Sequence, residues 1–291
     1  MDEGAGSTTD LVLDAGIIYA EVDGHPLRLN VVRPQDEADT PRPIVIWIHG
    51  GGWREGRHTD GLEWWCCPAM AAAGFVAISV EYRLTAEAPF PAQIHDVKAA
   101  IRWARANAAQ FDGDPDRIGL WGHSAGGHLA ALAGLTGDLP ELEGGLGSLG
   151  ISSRVQAVVP ASPPTDFSHR AFVYDPAPSP YIVDLLGGVG REYEELVRLA
   201  SPVSHVASDA PPFLVIHGDA DEVVTVEQGD RLVNALNSVG ASVAYERLAG
   251  ADHGLAVGER PYPRAGGMEL LGELARDFFV TQLLTSVEVA S

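Results

Sequence analysis

The sequence predicts an α/β fold: a mostly parallel eight-stranded sheet with helices on both faces. Two observations carry this prediction. Short apolar runs alternate with longer stretches of helical periodicity from residue 44 onward, which is typical of βα units in a parallel sheet. Several of these runs are apolar at every position, as in Ile44–Ile48, and strands covered on both faces have this pattern.

The predicted elements follow one another along the chain. Residues 11–22 and 27–32 flank Asp23-Gly24, a tight-turn signal, and are expected to form an antiparallel pair. The remaining strands are expected at 44–48, 75–80, 117–121, 155–160, 212–216 and 241–248, and the helices at 62–73, 92–109, 128–133, about 191–200, 226–239 and about 267–284. The glycine-rich residues 137–153 are expected to be a loop. We expect one domain over 1–291, with a lid-like insertion at about 165–210.

Net charge, hydropathy and cysteine content exclude several classes of function. The net charge of −21 gives no electrostatic footprint for nucleic acid or for an anionic membrane. No apolar run approaches a membrane span, and residues 1–10 lack the features of a signal peptide. Cys66 and Cys67 are adjacent, which disfavours an unstrained disulfide, and we expect reduced thiols in a cytoplasmic protein. The expected partner is a small molecule, and a homodimer is an open alternative to a monomer.

The stretch Gly122-His123-Ser124-Ala125-Gly126 fits the Gly-x-Ser-x-Gly nucleophile elbow. A strand that runs straight into a helix needs a very tight turn, and glycines at its flanks avoid a Cβ clash. Ser124 would then present its hydroxyl beyond the carboxyl end of the sheet, at a helix N-terminus that favours negative charge. The motif therefore predicts Ser124 as a nucleophile rather than a capping residue.

A nucleophilic serine needs a base and an orienting acid, and loops after later strands supply both. His253 lies in a glycine-flanked loop after the last strand and is the predicted base. Asp221, in the loop after the strand at 212–216, is the predicted acid, with Asp219 as the alternative. The other histidines weighed for the base lie in motif turns or loops. They are His49, His58, His123, His128, His169, His205 and His217.

The glycine run His49-Gly50-Gly51-Gly52 follows a buried strand directly. An oxyanion hole needs backbone N–H groups brought close to a substrate oxygen, and side chains would obstruct that approach. The N–H of Ala125, the residue after the nucleophile, is the expected second contributor. Trp53, His123, Phe167 and Tyr181 are candidates to line the substrate pocket. No metal or organic cofactor is expected.

These motifs, with Tyr82–Leu84 and Pro89–Ala92, resemble those of α/β-hydrolase carboxylesterases. The similarity is to hormone-sensitive-lipase-like esterases and to the bacterial feruloyl/acetyl-xylan esterase and kynurenine-formamidase-like groups. It implies the α/β-hydrolase fold and assigns the oxyanion N–H groups of the glycine run to Gly51 and Gly52. Hormone-sensitive-lipase-like esterases usually have Asp where this chain has His123, and they carry an N-terminal cap that is expected to be missing here. Both differences favour the formamidase-like and carbohydrate-esterase-like groups.

The sequence thus predicts a serine carboxylesterase for short-acyl or aryl esters, acting through Ser124, His253, Asp221 and an acyl-enzyme intermediate. An amidase of the kynurenine-formamidase type or a carbohydrate/feruloyl esterase would use the same residues, and the sequence does not decide between them. A non-catalytic binding protein on the same scaffold would be expected to lack a member of the triad.

Overall fold

A computed structural model describes residues 10–63, 66–168, 179–188, 190–257 and 265–284. Eight strands form one sheet in the order β1-β2-β4-β3-β5-β6-β7-β8. The strands are β1 Leu11–Val22, β2 His25–Pro34, β3 Arg42–Ile48, β4 Val76–Val80, β5 Gly113–His123, β6 Ala157–Ala161, β7 Phe213–Gly218 and β8 Val243–Leu248. The β1–β2 and β2–β4 pairs are antiparallel and all other pairs are parallel. The predicted fold class is confirmed.

Helices pack on both faces of this sheet. They are α1 Asp60–Glu63, α2 Cys66–Ala72, α3 Ala92–Asn107, α4 Ala125–Leu135, α5 Pro140–Glu143, α6 Pro180–Leu186, α7 Glu194–Ala200, α8 Glu227–Ser238 and α9 Ala265–Phe279, which continues as a π-helical turn over Val280–Leu284. Single 3₁₀ turns lie at Ala108–Phe111, Arg191–Tyr193 and Pro202–His205.

Strand β3 shows why these runs are apolar throughout. Ile44, Ile46 and Ile48 face a core that includes α3, α4 and α8, whereas Val45 and Trp47 face a second core that includes α2 and α9. Successive side chains of a strand point to opposite faces, so a strand between two cores needs an apolar residue at each position. The sheet therefore lies between two cores, and its carboxyl edge carries the loops of the site.

Two segments differ from the sequence-based expectation. The predicted loop at 137–153 contains the short helix α5, whose Glu143 lies 2.7 Å from the buried Lys98 and 2.6 Å from Arg102. Local composition does not reveal these tertiary ion pairs. Helix α6 is absent from the helices that the sequence predicts; Pro180 occupies its start, where the missing N–H of proline has no cost.

The lid-like insertion expected at about 165–210 stays a prediction, because residues 169–178 lie outside the described part of the chain.

Candidate active site

Ser124 occupies the turn between β5 and α4. Its backbone has φ 58° and ψ −120°, a region that residues other than glycine rarely adopt. The Ser124 N–H donates to the carbonyl of Ala161, 2.8 Å away, which ties this turn to β6. Such strain persists only where the surrounding structure enforces it, and here it projects the serine side chain beyond the sheet.

The flanking glycines are required by close backbone contacts. A Cβ on Gly126 would lie 2.0 Å from the Ile48 carbonyl oxygen, and one on Gly122 would lie 2.6 Å from the same atom. Backbone atoms cannot rotate aside as a side chain can, so a methyl group at either position would force β3 and the turn apart. The Cβ clash expected from the sequence is therefore a clash with the last residue of β3, Ile48.

Three side chains from different loops form a continuous hydrogen-bonded chain. His253 Nε2 lies 2.9 Å from Ser124 Oγ, and His253 Nδ1 lies 2.7 Å from Asp221 Oδ2. A carboxylate can only accept, so Nδ1 carries the proton and Nε2 is left to accept from the serine hydroxyl. The structure brings together the residues that the sequence selected as nucleophile, base and acid.

Asp221 is held in place by its own loop. Its Oδ1 accepts hydrogen bonds from the N–H groups of Val223 at 2.9 Å and Val224 at 2.8 Å, and the residue is buried. Burial alone would raise the pKa of this carboxyl. Hydrogen bonds from His217 and His253 outweigh burial and hold the pKa of Asp221 well below its usual value, so the acid stays ionised.

Asp219, the alternative acid, and Asp252, the neighbour of the base, have other contacts. Asp219 Oδ1 accepts from the Gly250 N–H at 2.6 Å, which joins the loop after β7 to the loop after β8. Asp252 Oδ1 accepts from the N–H groups of Gly254 and Ala256 and closes the turn that carries His253. Both carboxylates shape the loops around the site, whereas Asp221 Oδ2 bonds to His253 Nδ1.

The glycine run after β3 has a left-handed backbone that only glycine adopts readily. Gly51 has φ 99° and Gly52 has φ 59°. A Cβ on Gly51 would lie 2.2 Å from the Glu55 carbonyl oxygen, and one on Gly52 would lie 2.5 Å from the Tyr181 ring. In the described part of the chain, the N–H groups of Gly51, Gly52 and Ala125 have no hydrogen-bond acceptor. Their role as an oxyanion hole stays a prediction.

Buried aromatic and histidine side chains pack around the glycine run and hold it in place. Tyr82 stacks on His49 with ring centroids 4.2 Å apart, and its hydroxyl donates to the His49 carbonyl at 3.0 Å. Trp53 Nε1 donates to His128 Nδ1 at 3.2 Å. Burial lowers the pKa of both His49 and His128 to about 4, so both rings are neutral at neutral pH.

A cavity of about 1240 Å³ opens beside Ser124. Trp53, His123 and Tyr181, three of the candidates for the substrate pocket, are among its lining residues. Phe167 is not among them: it is fully buried, packs edge-on against the Trp53 ring and lines a separate cavity of about 370 Å³. The expectation that Phe167 lines the substrate pocket is therefore corrected. An aromatic residue near a site is as well suited to its core as to its surface.

Several residues of the cavity were missed by the sequence argument. They include Glu55, Arg57, Asp60, Glu222, Val223 and Met268. The segment 54–60 gave no motif of its own, and its only signal is its position directly after the glycine run.

Among the described residues, no group of three or more His, Cys, Asp or Glu side chains is arranged to hold a metal ion. Within the same residues, no helix has the length and hydropathy of a membrane span.

Residues 29–236 match the model of the BD-FAE family. This match covers most of the sheet, the glycine run, the elbow and the loop of Asp221. The chain belongs to the BD-FAE family. The predicted resemblance to α/β-hydrolase carboxylesterases is confirmed by this match and by the relatives that follow.

Relatives of this BD-FAE chain are esterases. It is 40% identical to Esterase LipC of Mycobacterium tuberculosis over 83% of this chain and 60% of LipC. It is 33% identical to the probable carboxylic ester hydrolase LipM of the same organism over 84% of this chain and 56% of LipM. The chain thus spans little more than half the length of these curated relatives.

Solved structures resemble the BD-FAE chain over nearly its full length. A truncated form of a carbohydrate esterase from gut microbiota has a TM-score of 0.82 and 32% identity, covering 97% of this chain and 99% of that one. Esterase Est2 of Thermogutta terrifontis, with butyrate bound, has a TM-score of 0.73 and 28% identity, covering 94% of each chain.

Proposed function

We propose that this protein is a serine carboxylesterase that forms an acyl-enzyme on Ser124. One observation carries the proposal: the line of hydrogen bonds from Ser124 Oγ through His253 to Asp221, with distances of 2.9 and 2.7 Å. This arrangement gives a hydroxyl both a proton acceptor and a buried counter-charge for the imidazolium that results. The esterase names of the relatives support the same reaction class.

The reaction would proceed in two halves. Ser124 Oγ attacks the ester carbonyl carbon while its proton moves to His253 Nε2, and the carbonyl π electrons move to the oxygen. The oxyanion then collapses, the bond to the alcohol oxygen breaks, and His253 returns the proton to the leaving alcohol. In the second half, a water molecule gives a proton to His253 Nε2 and attacks the carbonyl carbon of the acyl-enzyme. The bond to Ser124 Oγ then breaks, His253 returns the proton to Ser124, and the acid is released.

The N–H groups of Gly51, Gly52 and Ala125 would stabilise the oxyanion. They lie on the two turns that meet beside Ser124, and Ala125 is the first residue of α4, where helix N–H groups have no partner within the helix. Donors fixed by backbone need no reorganisation when charge develops, so they lower the barrier rather than only binding the substrate.

The cavity favours small acyl groups joined to a larger alcohol. Its lining combines Tyr181 and Val223 with the charged side chains of Glu55, Arg57 and Asp60. A long acyl chain gains about 0.8 kcal/mol for each CH₂ group only where apolar wall replaces water, and charged groups interrupt such a wall. We therefore propose short-acyl or aryl esters as substrates.

A carbohydrate ester is the second candidate, and a specific observation favours it. The carbohydrate esterase from gut microbiota matches 97% of this chain, and the cavity volume of about 1240 Å³ leaves room for a bulky alcohol. An amide substrate of the kynurenine-formamidase type stays open from the sequence, and no relative named above carries that activity.

A substrate panel tests the proposal. The values of kcat/KM are measured for p-nitrophenyl esters from acetate to palmitate, for an acetylated sugar and for N-formyl-kynurenine, with Ser124→Ala as the blank. We expect the highest efficiency at two to four acyl carbons, on the order of 10²-fold above palmitate. An optimum at ten carbons or more would refute the short-acyl assignment, and turnover confined to the formamide would replace the esterase by an amidase.

We also propose a cytoplasmic location. Both cysteines are buried thiols, as is typical of proteins in a reducing compartment. The homodimer stays a prediction. A mass measurement in solution by light scattering would decide the oligomeric state.

A further inference from the structure

Two side chains at the carboxyl edge of the sheet hydrogen-bond to the backbone of His253. The carbonyl oxygen of His253 lies 2.5 Å from His123 Nε2 and 3.4 Å from Ser162 Oγ. A carbonyl oxygen can only accept, so His123 carries its proton on Nε2 and donates it. His123 directly precedes the nucleophile at the end of β5, and Ser162 follows the end of β6.

Other contacts of the His253 loop have different effects. Hydrogen bonds from Gly254 and Ala256 to Asp252 Oδ1 define the shape of the turn but connect it only to itself. The bonds from the Ala220 N–H to the Ala251 carbonyl and from the Gly250 N–H to Asp219 connect the loop to the β7 side. The contact from His123 connects the residue that acts as base to the strand that carries the nucleophile.

This contact lies close to the hydrogen bond through which the proton would move from Ser124 to His253. The rings of His123 and His253 are 4.9 Å apart between centroids, and the His253 ring in turn reaches Ser124 Oγ at 2.9 Å. His123 and Ser124 are neighbours in sequence, so a hydrogen bond from one to the base's backbone fixes the base relative to the other. A displacement of about 1 Å in such a group can cost on the order of 10² in rate.

The charge state of His123 suits this position. Burial, with a smaller effect of the nearby His253, lowers the pKa of His123 to about 3. The ring therefore stays neutral while His253 becomes an imidazolium during the reaction. A charged ring at this distance would oppose that protonation.

We propose that His123 is a positioning residue that fixes His253 over Ser124 through the hydrogen bond from Nε2 to the His253 carbonyl. The inference rests on the proposed function, because it assigns His123 a part in the same reaction. It goes beyond the role expected from the sequence, in which His123 lines the substrate pocket. A pocket residue acts on substrate binding, whereas a residue that positions the base acts on the chemical step.

Three substitutions separate these roles. His123→Phe keeps a flat ring and removes the donor. His123→Gln places an amide N–H near the position of Nε2, and His123→Asn has an amide too short to reach the carbonyl. For each variant, kcat and KM are measured with p-nitrophenyl acetate, along with the second-order rate of serine labelling by a fluorophosphonate and the melting temperature.

We expect His123→Phe and His123→Asn to lower kcat and the labelling rate by on the order of 10- to 10²-fold, with KM within about twofold. His123→Gln should retain at least a third of both rates. The Asn and Gln variants differ by one methylene, so they provide the comparison even if the Phe variant is unstable.

Three outcomes would overturn the inference: unchanged kcat in the Phe and Asn variants, an equal loss in the Gln and Asn variants, or a rise in KM at constant kcat. The labelling rate depends on the serine and its base, and not on the natural substrate. A wild-type protein that reacts with the phosphonate but hydrolyses no ester would therefore remove the proposed function while leaving the effect of His123 measurable.

Discussion

His128 should make the folded protein sensitive to mild acid. Its Nδ1 accepts from Trp53 Nε1 at 3.2 Å and its Nε2 donates to the Ala200 carbonyl at 2.7 Å, so both ring nitrogens are used by the neutral form. A proton added to Nδ1 would face the indole N–H and would have no acceptor. Burial accordingly lowers the pKa of His128 from 6.5 to about 4, despite the opposing effect of the bond to Ala200.

The magnitude follows from linkage. Below pH 6.5 the unfolded chain binds a proton at His128 that the folded chain does not bind until about pH 4, so the stability contributed by the neutral ring is complete above pH 6.5 and falls as the pH drops. Between pH 7.5 and 5 this loss is about 2 kcal/mol for one histidine. His49 and His123, with pKa values lowered to about 4 and about 3, add similar amounts.

The assay compares free energies of unfolding in urea at pH 7.5 and pH 5. The His128→Gln variant has no ionisable group at this position. Its free energy of unfolding should therefore fall by about 2 kcal/mol less than that of the wild type between pH 7.5 and pH 5, although the variant is less stable at pH 7.5. His25→Gln, at an exposed position on β2, is the matched control. Carboxylates contribute equally to all three proteins and cancel in the comparison. The same pH-dependent loss in His128→Gln and wild type would refute the reasoning.

Two further predictions concern the acid and the elbow. Asp221→Asn should lower kcat by on the order of 10²–10⁴, because an amide no longer orients the imidazole or balances its charge. Asp219→Asn should keep kcat within about tenfold of the wild type. The reverse order of the two losses in a p-nitrophenyl acetate assay would move the acid to Asp219. Gly126→Ala should lower the free energy of unfolding by at least about 2 kcal/mol and remove nearly all activity, because its Cβ would lie 2.0 Å from the Ile48 carbonyl oxygen. Unfolding in urea measures the loss of stability. Gly272→Ala, in helix α9 with nothing within 4 Å, is the control and should be neutral or slightly stabilising; equal behaviour of the two variants would contradict the steric account.

Much of the fold was predictable because local and global signals agree. The run Ile44–Ile48 is apolar on both faces, and it lies between the two cores. Gly122 and Gly126 mark a turn that a Cβ would block, and the structure gives the blocking atoms. Ser124, Asp221 and His253 follow different parallel strands, whose carboxyl ends meet at one edge of the sheet, so their convergence could be predicted.

The rest depends on contacts between residues far apart in the chain. His123 and His253 are separated by 130 residues, and no pattern in either segment indicates that one side chain holds the other's carbonyl. Phe167 is apolar and near the site, and sequence cannot decide whether such a ring faces substrate or core. Helix α5 forms where Glu143 meets the buried Lys98, and this pairing requires the folded chain.

The most direct test of the central claim is the site of covalent labelling. The protein is treated with a fluorophosphonate, digested, and the modified peptide is identified by mass spectrometry, for the wild type and for Ser124→Ala. The account predicts one adduct per chain, located on Ser124, and no adduct in the variant, which should remain folded and lose ester hydrolysis by on the order of 10⁴-fold or more. An adduct on another residue, or near-normal turnover in Ser124→Ala, would contradict it.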